Sequence, residues 1–230
     1  MARTKASSDN DNGASADEGV ELLKKGIYEG RYVPGQRLIE IDLMRDLGVS
    51  RGHVREALRR LAAEGLVAIE RNRGASVRKI SRKEVNDIFD VLTDISVIAV
   101  RKAMQNMDEP GHRRIVEDSL KAARRFSRRA AGVRHVQEFM EENARFWNSI
   151  GAVADNPVLE NTRERLQTLL FRLQMQGLTM GAERELWITQ HEEALVAMLE
   201  GNAVLAERLM GRASRSVRDA ILALPDSAFL

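Results

Sequence analysis

Three arginines spaced by four residues are the side chains best placed to do chemistry in this sequence: Arg51, Arg55 and Arg59. Residues four apart lie on one face of a helix, and a guanidinium group can bind O6 and N7 of guanine with two hydrogen bonds. The pattern therefore indicates a helix that presents cations to nucleic acid. A charged face that contacts only solvent gives the same local pattern, so the interpretation depends on the surrounding elements.

The elements that would position these arginines are helical. Ser50 is a suitable N-cap for a helix over about 51–64 that ends at Gly65. The apolar stripe of this helix would face the core, and it is formed by Val54, Leu58 and Leu61. Two helices precede it, one from Asp17 to a stop near Gly30 and a short one over about 40–46.

A basic hairpin follows that helix. Two short strands are predicted over 66–70 and 75–79, around the tip Arg71-Asn72-Arg73-Gly74. Glycine at such a tip adopts the positive φ that tight hairpins require. The order helix, helix, helix, basic hairpin predicts a winged helix-turn-helix.

The distribution of charge indicates a nucleic-acid partner more clearly than the net charge of +2 does. Residues 51–80 carry eight Arg or Lys against three Asp or Glu, a local charge of +5. Over 81–230, 21 basic minus 22 acidic residues give −1. A concentrated basic patch on an otherwise neutral chain is typical of a phosphate-contacting surface.

Beyond residue 80 the apolar periodicity is helical, over six segments at about 81–107, 110–130, 133–152, 157–177, 183–200 and 202–223. Ser81 and Asn156-Pro157 are start signals for the first and fourth segments. The predicted fold is mainly α, with an N-terminal winged helix-turn-helix that ends in a small β-hairpin and a C-terminal all-α bundle. We expect a disordered tail over 1–16, the winged helix over 17–80 and the helical domain over 81–230.

Composition and motifs exclude several classes of function. The chain has no cysteine, which rules out disulfides, thiolate metal sites and cysteine nucleophiles. It has no signal-peptide core and no 18-residue apolar run, so we expect a cytoplasmic protein without membrane contact. No Gly-rich phosphate loop, Gly-x-Ser-x-Gly elbow or His-Glu-x-x-His pair is present, so no enzyme is predicted. RNA binding is disfavoured because the basic hairpin carries no aromatic residue for base stacking.

More than twenty residues match one kind of bacterial DNA-binding domain in order and spacing: Ile27, Gly30, Pro34-Gly35, Arg37-Leu38, Glu40, Leu43, Leu47 to Arg51, Val54 to Leu58, Leu61, Glu64 to Val67, Arg73-Gly74 and Val77. On these residues the segment resembles the DNA-binding domain of the GntR family. The resemblance implies a transcriptional regulator that binds double-stranded DNA.

The resemblance also implies a DNA-binding site, made of Ser50, Arg51, Gly52, His53, Arg55, Arg73 and Gly74. Arg51 and Arg55 would touch bases in the major groove, and the wing tip would reach the minor groove. The family often has Thr-Pro or Thr-Thr where this chain has Gly52-His53, so a phosphate-contacting hydroxyl is lost and His53 is its candidate replacement. Two roles remain open for Arg37 and Arg59: each could contact a DNA phosphate or form an ion pair within the domain.

The C-terminal half resembles the FCD domain of the FadR branch of the family, in the VanR-like group with six helices. The matching residues are Asn156-Pro157, Gln190-His191-Glu192, Gly201-Asn202 and Ala206. Many FCD domains hold a metal through an Asp-x-x-x-His pair and two later histidines. The corresponding positions are Asn143, Trp147, His191 and Ala213. Only one of these four is an imidazole, so we expect no metal cofactor.

A second family feature is also missing. FCD domains often carry, on the first helix, an Arg that clamps an effector carboxylate, with a Glu four residues later; here Leu92 and Ser96 take these positions. We therefore expect an unusually apolar cavity and an uncharged or hydrophobic effector, such as an aromatic or acyl compound. The expected cavity residues are Leu92, Ser96, Asn143, Trp147, His191 and Ala213. Two alternatives stay open: Trp147 fills the cavity so that nothing binds, or His191 is a hydrogen-bonded interior residue.

The functional hypothesis is a homodimer, joined through the helical domain, that binds a pseudo-palindromic operator and represses transcription in response to a small molecule. The alternative hypothesis is a ligand-independent, architectural DNA-binding protein whose helical domain is filled. The two hypotheses share the winged helix and differ in whether the helical domain holds a ligand.

Overall fold

The computed structural model describes residues 15–130, 136–179 and 184–230. Residues 1–14 of the predicted tail lie outside these ranges. Its last two residues are ordered with the first helix: the Ser15 hydroxyl caps the helix by accepting a hydrogen bond from the Glu18 N–H at 3.2 Å, and the helix begins at Ala16. The chain divides into two units between Arg78 and Lys79.

The first unit contains three helices and three short strands: α1 (Ala16–Tyr28), β1 (Arg37–Leu38), α2 (Glu40–Leu47), α3 (Arg51–Ala63), β2 (Val67–Glu70) and β3 (Gly74–Val77). Gly48 ends α2 with a φ of +68°, a conformation that favours glycine. Ser50 caps α3 by accepting a hydrogen bond from the His53 N–H at 3.3 Å. The predicted order of helices and hairpin is confirmed.

The three strands form one antiparallel sheet in the order β1-β3-β2. Gly74, with a φ of +85°, pairs with Glu70 across the hairpin, so β3 begins one residue earlier than predicted. β1 is absent from the sequence-based prediction because two residues are too few to show alternation. This short strand places Arg37 opposite Ser76 of β3, beside the wing.

The core of the first unit determines which face of α3 meets solvent. Leu23 of α1, Leu43 of α2 and Leu61 of α3 are each 1% exposed or less and belong to one apolar cluster. Each such side chain contributes roughly 1.5–3 kcal/mol on burial. Since the apolar stripe of α3 packs into this cluster, its arginine stripe, on a neighbouring face of the helix, is left in solvent.

The second unit contains, in the part of the chain that the structure describes, six helices and a short 3-10 turn: α4 (Arg82–Gln105), α5 (His112–Ala130), α6 (Val136–Ala154), α7 (Pro157–Thr179), α8 (Arg184–Leu199), α9 (Ala203–Leu222) and η1 (Asp226–Ala228). The six predicted helices are confirmed, and the ends that fall on described residues agree within two residues, whereas the predicted starts at 133 and 183 lie outside the described residues. Asn156 starts α7 as predicted, because its Oδ1 accepts a hydrogen bond from the Leu159 N–H at 3.0 Å.

The central helix of this unit is α4, which packs against α6, α7 and α9. Arg82 at its start holds the C-terminal segment: it donates to the carbonyl of Leu224 at 2.8 Å and lies 4.2 Å above the Phe229 ring. The predicted boundary assigns Ile80 to the first domain. In the structure Ile80 packs into an apolar cluster of the second unit that also contains Phe89 and Phe229. None of the described helices is both long enough and apolar enough to cross a membrane.

Candidate nucleic-acid interface and ligand cavity

The arginine stripe of α3 is accessible at the start of the helix. The Arg51 and Arg55 side chains are 58% and 57% exposed, and Gly52 between them leaves the surface without a side chain. His53, on the same turn, is half-buried and holds the Ser50 cap through its backbone N–H. Arg51 and Arg55, the predicted major-groove residues, therefore lie one turn apart on a solvent-facing side of α3.

Glu40, the first residue of α2, connects the two arginines. Its Oε1 accepts a hydrogen bond from Arg55 Nε at 2.8 Å, and its Oε2 lies 3.7 Å from Arg51 Nε. The hydrogen bond and the charge of Glu40 raise the pKa of Arg55 above its usual value. One carboxylate thus restrains two guanidinium groups. This contact was not predicted from the sequence, because it joins residues of two different helices.

The wing contributes a third cationic group. Arg73, in the turn of the wing, is 82% exposed and lies 3.3 Å from Glu70, the last residue of β2. A Cβ on Gly74 would make only an ordinary contact with the guanidinium of Arg37, at 3.8 Å, so the positive φ rather than lack of space favours glycine there. Arg37 has no ion-pair or hydrogen-bond partner among the described residues, whereas Arg59 lies 3.2 Å from Glu56. These contacts favour a phosphate role for Arg37 and an ion pair for Arg59.

A groove between α3 and the wing brings Arg37 and Arg55 together, whereas Arg51 and Arg73 lie outside its lining. It has a volume of about 600 Å³, and its lining includes Arg37, Glu40, Arg55, Arg59 and Gly74. Three guanidinium groups against one carboxylate give this groove an excess of positive charge. Such a groove suits a polyanion, because cations beside a backbone of phosphates displace its counterions.

All six predicted cavity residues line a single cavity inside the second unit: Leu92, Ser96, Asn143, Trp147, His191 and Ala213. They come from four helices, α4, α6, α8 and α9. Further aromatic side chains extend the wall, namely Phe89, Phe139 and Trp187. The cavity has a volume of about 60 Å³.

His191 lies at the apolar side of this cavity. Its ring stacks on Phe146 with centroids 3.9 Å apart and an interplanar angle of 1°, and Trp147 meets Phe146 edge-on at 5.2 Å. Burial lowers the pKa of His191 from 6.5 to about 3. The imidazole is therefore neutral at physiological pH.

Replacing His191 with Gln is expected to flatten the pH dependence of stability below pH 6.5. The unfolded imidazole takes up a proton near pH 6.5, whereas the folded one stays neutral down to about pH 3. Falling pH therefore favours the unfolded state by up to about 1.4 kcal/mol per pH unit in this window. Urea unfolding at about pH 7.5, 6 and 5 measures the difference. Equal slopes for wild type and H191Q would contradict a buried, neutral imidazole.

Arg163 of α7 is a buried cation in the cavity wall that the sequence analysis missed. Its side chain is 4% exposed, it pairs with Glu160 at 2.6 Å, and its guanidinium lies 4.2 Å above the Trp147 ring. The Glu-x-x-Arg spacing within α7 was the available signal. The direction of the side chain into the cavity depends on the packing of α7 against α6.

The residues present do not fit a divalent metal. Of the four family ligand positions, which all line the cavity, only His191 is a usual ligand, while Asn143, Trp147 and Ala213 offer an amide, an indole and a methyl group. Within residues 15–130, 136–179 and 184–230, no three His, Cys, Asp or Glu side chains converge as a metal site.

A winged helix with solvent-facing arginines, followed by a helical unit around a cavity, defines the class of two-domain DNA-binding regulators. Residues 16–77 match the bacterial regulatory proteins of the gntR family, and residues 87–215 match the FCD domain. The chain belongs to the GntR family and carries an FCD domain, as the sequence analysis predicts.

Known relatives agree with this assignment. The chain is 25% identical over 186 residues to the uncharacterised HTH-type transcriptional regulator YdhC of Bacillus subtilis, with 81% of each chain covered. It is 24% identical over 200 residues to the HTH-type transcriptional repressor RspR of Escherichia coli, with 87% of this chain and 86% of the relative covered. The solved structure of E. coli McbR/YncC shares the fold, with a TM-score of 0.68 at 20% identity over 90% of this chain and 96% of that chain. Family and relatives point to transcriptional regulation and not to catalysis.

Proposed function

We propose that the protein is a homodimeric repressor that reads a pseudo-palindromic DNA operator with Arg51 and Arg55. One observation carries this proposal: both guanidinium groups are exposed at the start of α3 and share the carboxylate of Glu40. A recognition helix brings its N-terminal residues to base edges in the major groove. Ser50, Gly52 and His53 would meet the neighbouring backbone, and the wing tip would enter the minor groove.

The proposed dimer forms through the second unit. Val91 and Ile98 of α4 are 51% and 40% exposed, and their spacing of seven residues places them on one face of the helix. An apolar face of this kind suits a second copy of the chain. A two-fold symmetric dimer presents two identical winged helices, which explains why the operator should consist of two inverted half-sites.

The proposed effector acts through α4. Leu92 and Ser96 of α4 line the cavity, and only residues 78–81 separate α4 from β3 along the chain. A ligand that binds one position of α4 more tightly than another shifts the dimer between two arrangements. Repression follows where the operator overlaps a promoter, because the bound dimer blocks polymerase.

We expect this regulator to act without a metal cofactor. A single neutral imidazole among an amide, an indole and a methyl group holds no divalent ion usefully. Elemental analysis of the purified protein should find substoichiometric metal, and EDTA should leave both the melting temperature and operator affinity unchanged. One tightly bound metal per chain, with loss of stability on chelation, would refute this account of the cavity.

One observation favours a second candidate function, a ligand-independent architectural DNA-binding protein. The cavity volume of about 60 Å³ is small beside the roughly 300–1,000 Å³ of drug-sized ligand sites. Trp147 and the Arg163 guanidinium above it form part of its wall. Such a protein would bind duplex DNA with little sequence preference.

Selection from a pool of random duplexes distinguishes these functions. The repressor should enrich an inverted repeat whose half-sites lie about one helical turn, roughly 10 base pairs, apart. Sedimentation of the selected complex should give two chains per duplex. Enrichment of no motif would refute the operator-binding proposal, and one chain on a single half-site would refute the dimer.

A further inference from the structure

The buried cation in the cavity wall is already neutralised by the protein. Arg163 donates two hydrogen bonds to the Glu160 carboxylate, from Nη2 to Oε1 at 2.6 Å and from Nε to Oε2 at 3.1 Å. Gly151 of α6 makes room for this pair, because a Cβ there would lie 3.2 Å from the Glu160 carboxyl carbon. A two-point contact of this kind is the strongest pairing that a guanidinium group makes with a carboxylate.

The other sides of the Arg163 guanidinium are occupied as well. Nη1 contacts the amide oxygen of Gln167, and the Trp147 ring covers one face at 4.2 Å. A ligand carboxylate would therefore have to displace Glu160 to reach this cation. Among the described residues that line the cavity, Arg163 is the only one with a formal charge, since His191 is neutral.

Two neutral polar groups in the same wall lack partners. The indole Nε1 of Trp187 and the amide Oε1 of Gln190 are buried with no hydrogen bond to the residues that the structure describes. Their side chains are 7% and 2% exposed, and both line the cavity. Gln190 uses its Nε2 to donate to Ser216 Oγ at 3.1 Å, which leaves the oxygen as an acceptor. Buried groups of this kind are stabilised by a bound partner.

We propose that the cavity takes an uncharged ligand with a carbonyl acceptor and an N–H or O–H donor on an apolar body, and that Glu160 is the residue that excludes carboxylates. Trp187 donates to the ligand carbonyl, Gln190 accepts from the ligand donor, and the aromatic wall holds the body. A carboxylate offers no donor to Gln190 and meets an arginine that is already paired. This inference rests on the proposed effector function of the cavity.

Isothermal titration of the full chain with benzamide and benzoate tests the ligand class, because the two probes differ mainly in charge and in the amide donor. Wild type is expected to bind benzamide at least about tenfold more tightly than benzoate. Acetamide and acetate form a second, smaller pair for a cavity of this size. Equal affinity for both members of each pair, preference for an acid, or binding of neither amide would overturn the proposal.

Glu160→Gln tests the excluding residue. This variant keeps the shape of the side chain and frees Arg163, so benzoate affinity should rise at least about tenfold. Glu164→Gln, one turn further along α7 on the exposed side, is the matched control and should bind as wild type does. An unchanged benzoate affinity in E160Q would show that Glu160 does not exclude acids.

Trp187→Phe provides a test that does not disturb the buried ion pair. It retains an aromatic ring and removes the indole N–H, so benzamide affinity should fall about fivefold. Unchanged benzamide binding would refute the donor role of Trp187.

Operator affinity, measured on the same samples without amide or acid, separates this inference from the proposed function. If the protein binds its operator but no amide, only this inference is refuted. If it binds amides but no operator, only the proposed regulator function is refuted.

Discussion

Replacing Arg55 with Ala is expected to weaken binding to the selected operator by about 1–3 kcal/mol and to relax the preference at one base pair of each half-site. The variant removes a guanidinium group that lies exposed on the first turns of α3. It also removes the 2.8 Å hydrogen-bond partner of the Glu40 carboxylate, so that only Arg51, at 3.7 Å, still pairs with this negative charge near the duplex. Fluorescence anisotropy with the operator and its single-base variants, at one fixed salt concentration, measures both effects.

Arg59→Ala is the matched control for this prediction. Arg59 lies one turn further along α3 and lines the same groove, but it pairs with Glu56. Its loss should change affinity by at most a small factor that is the same on every sequence and leave base preference unchanged, because a side chain held in this ion pair is not expected to contact bases. Wild-type affinity for the operator in R55A would mean that α3 is not the recognition helix.

Replacing Phe146 with Ala is expected to lower the free energy of unfolding of the second unit by about 3–5 kcal/mol. Phe146 is fully buried and stacks on His191, while Trp147 packs against its edge. Removing the ring deletes both contacts and leaves a cavity that the surrounding helices cannot fill without shifting. This is the largest stability effect we expect from a single substitution around the ligand cavity.

Tryptophan fluorescence during urea unfolding isolates this effect. The chain has two tryptophans, Trp147 and Trp187, and both lie in the second unit. Val158→Ala on α7 is a suitable control, because Val158 is 76% exposed and its truncation should change stability by less than about 0.5 kcal/mol. A loss of under about 1 kcal/mol in F146A would contradict the packing around His191.

The winged helix was predictable because its signals are local. Ser50 is a typical N-cap residue and marks the start of α3, and the spacing of the apolar residues along α3 indicates which of its faces is buried. The strand β1 was not predictable, since its two residues become a strand only by pairing with β3. The ion pairs of Glu40 with Arg51 and Arg55 were not predictable for the same reason. They join residues of α2 and α3, and the distance between these two helices is set by tertiary packing.

The residues of the ligand cavity also fall into a part that was predictable from the sequence and a part that was not. Family resemblance predicted which six residues would converge, because they occupy corresponding positions on helices whose order the sequence shows. It did not predict Arg163, since that residue stands outside the positions compared and its spacing to Glu160 is that of an ordinary surface ion pair. Burial between α6 and α7 is what turns this pair into a feature of the site. The expected apolar cavity therefore contains a charge, although Glu160 cancels it.

Methylation interference on the selected operator tests the central claim most directly. Dimethyl sulfate methylates N7 of guanine in the major groove, the atom that a guanidinium group would bind. We expect methylation of a defined guanine in each half-site to abolish binding by the wild-type protein, and R55A or R51A to lose sensitivity at one of these guanines. Interference that is absent, or that is identical in wild type and both variants, would contradict base recognition by these arginines.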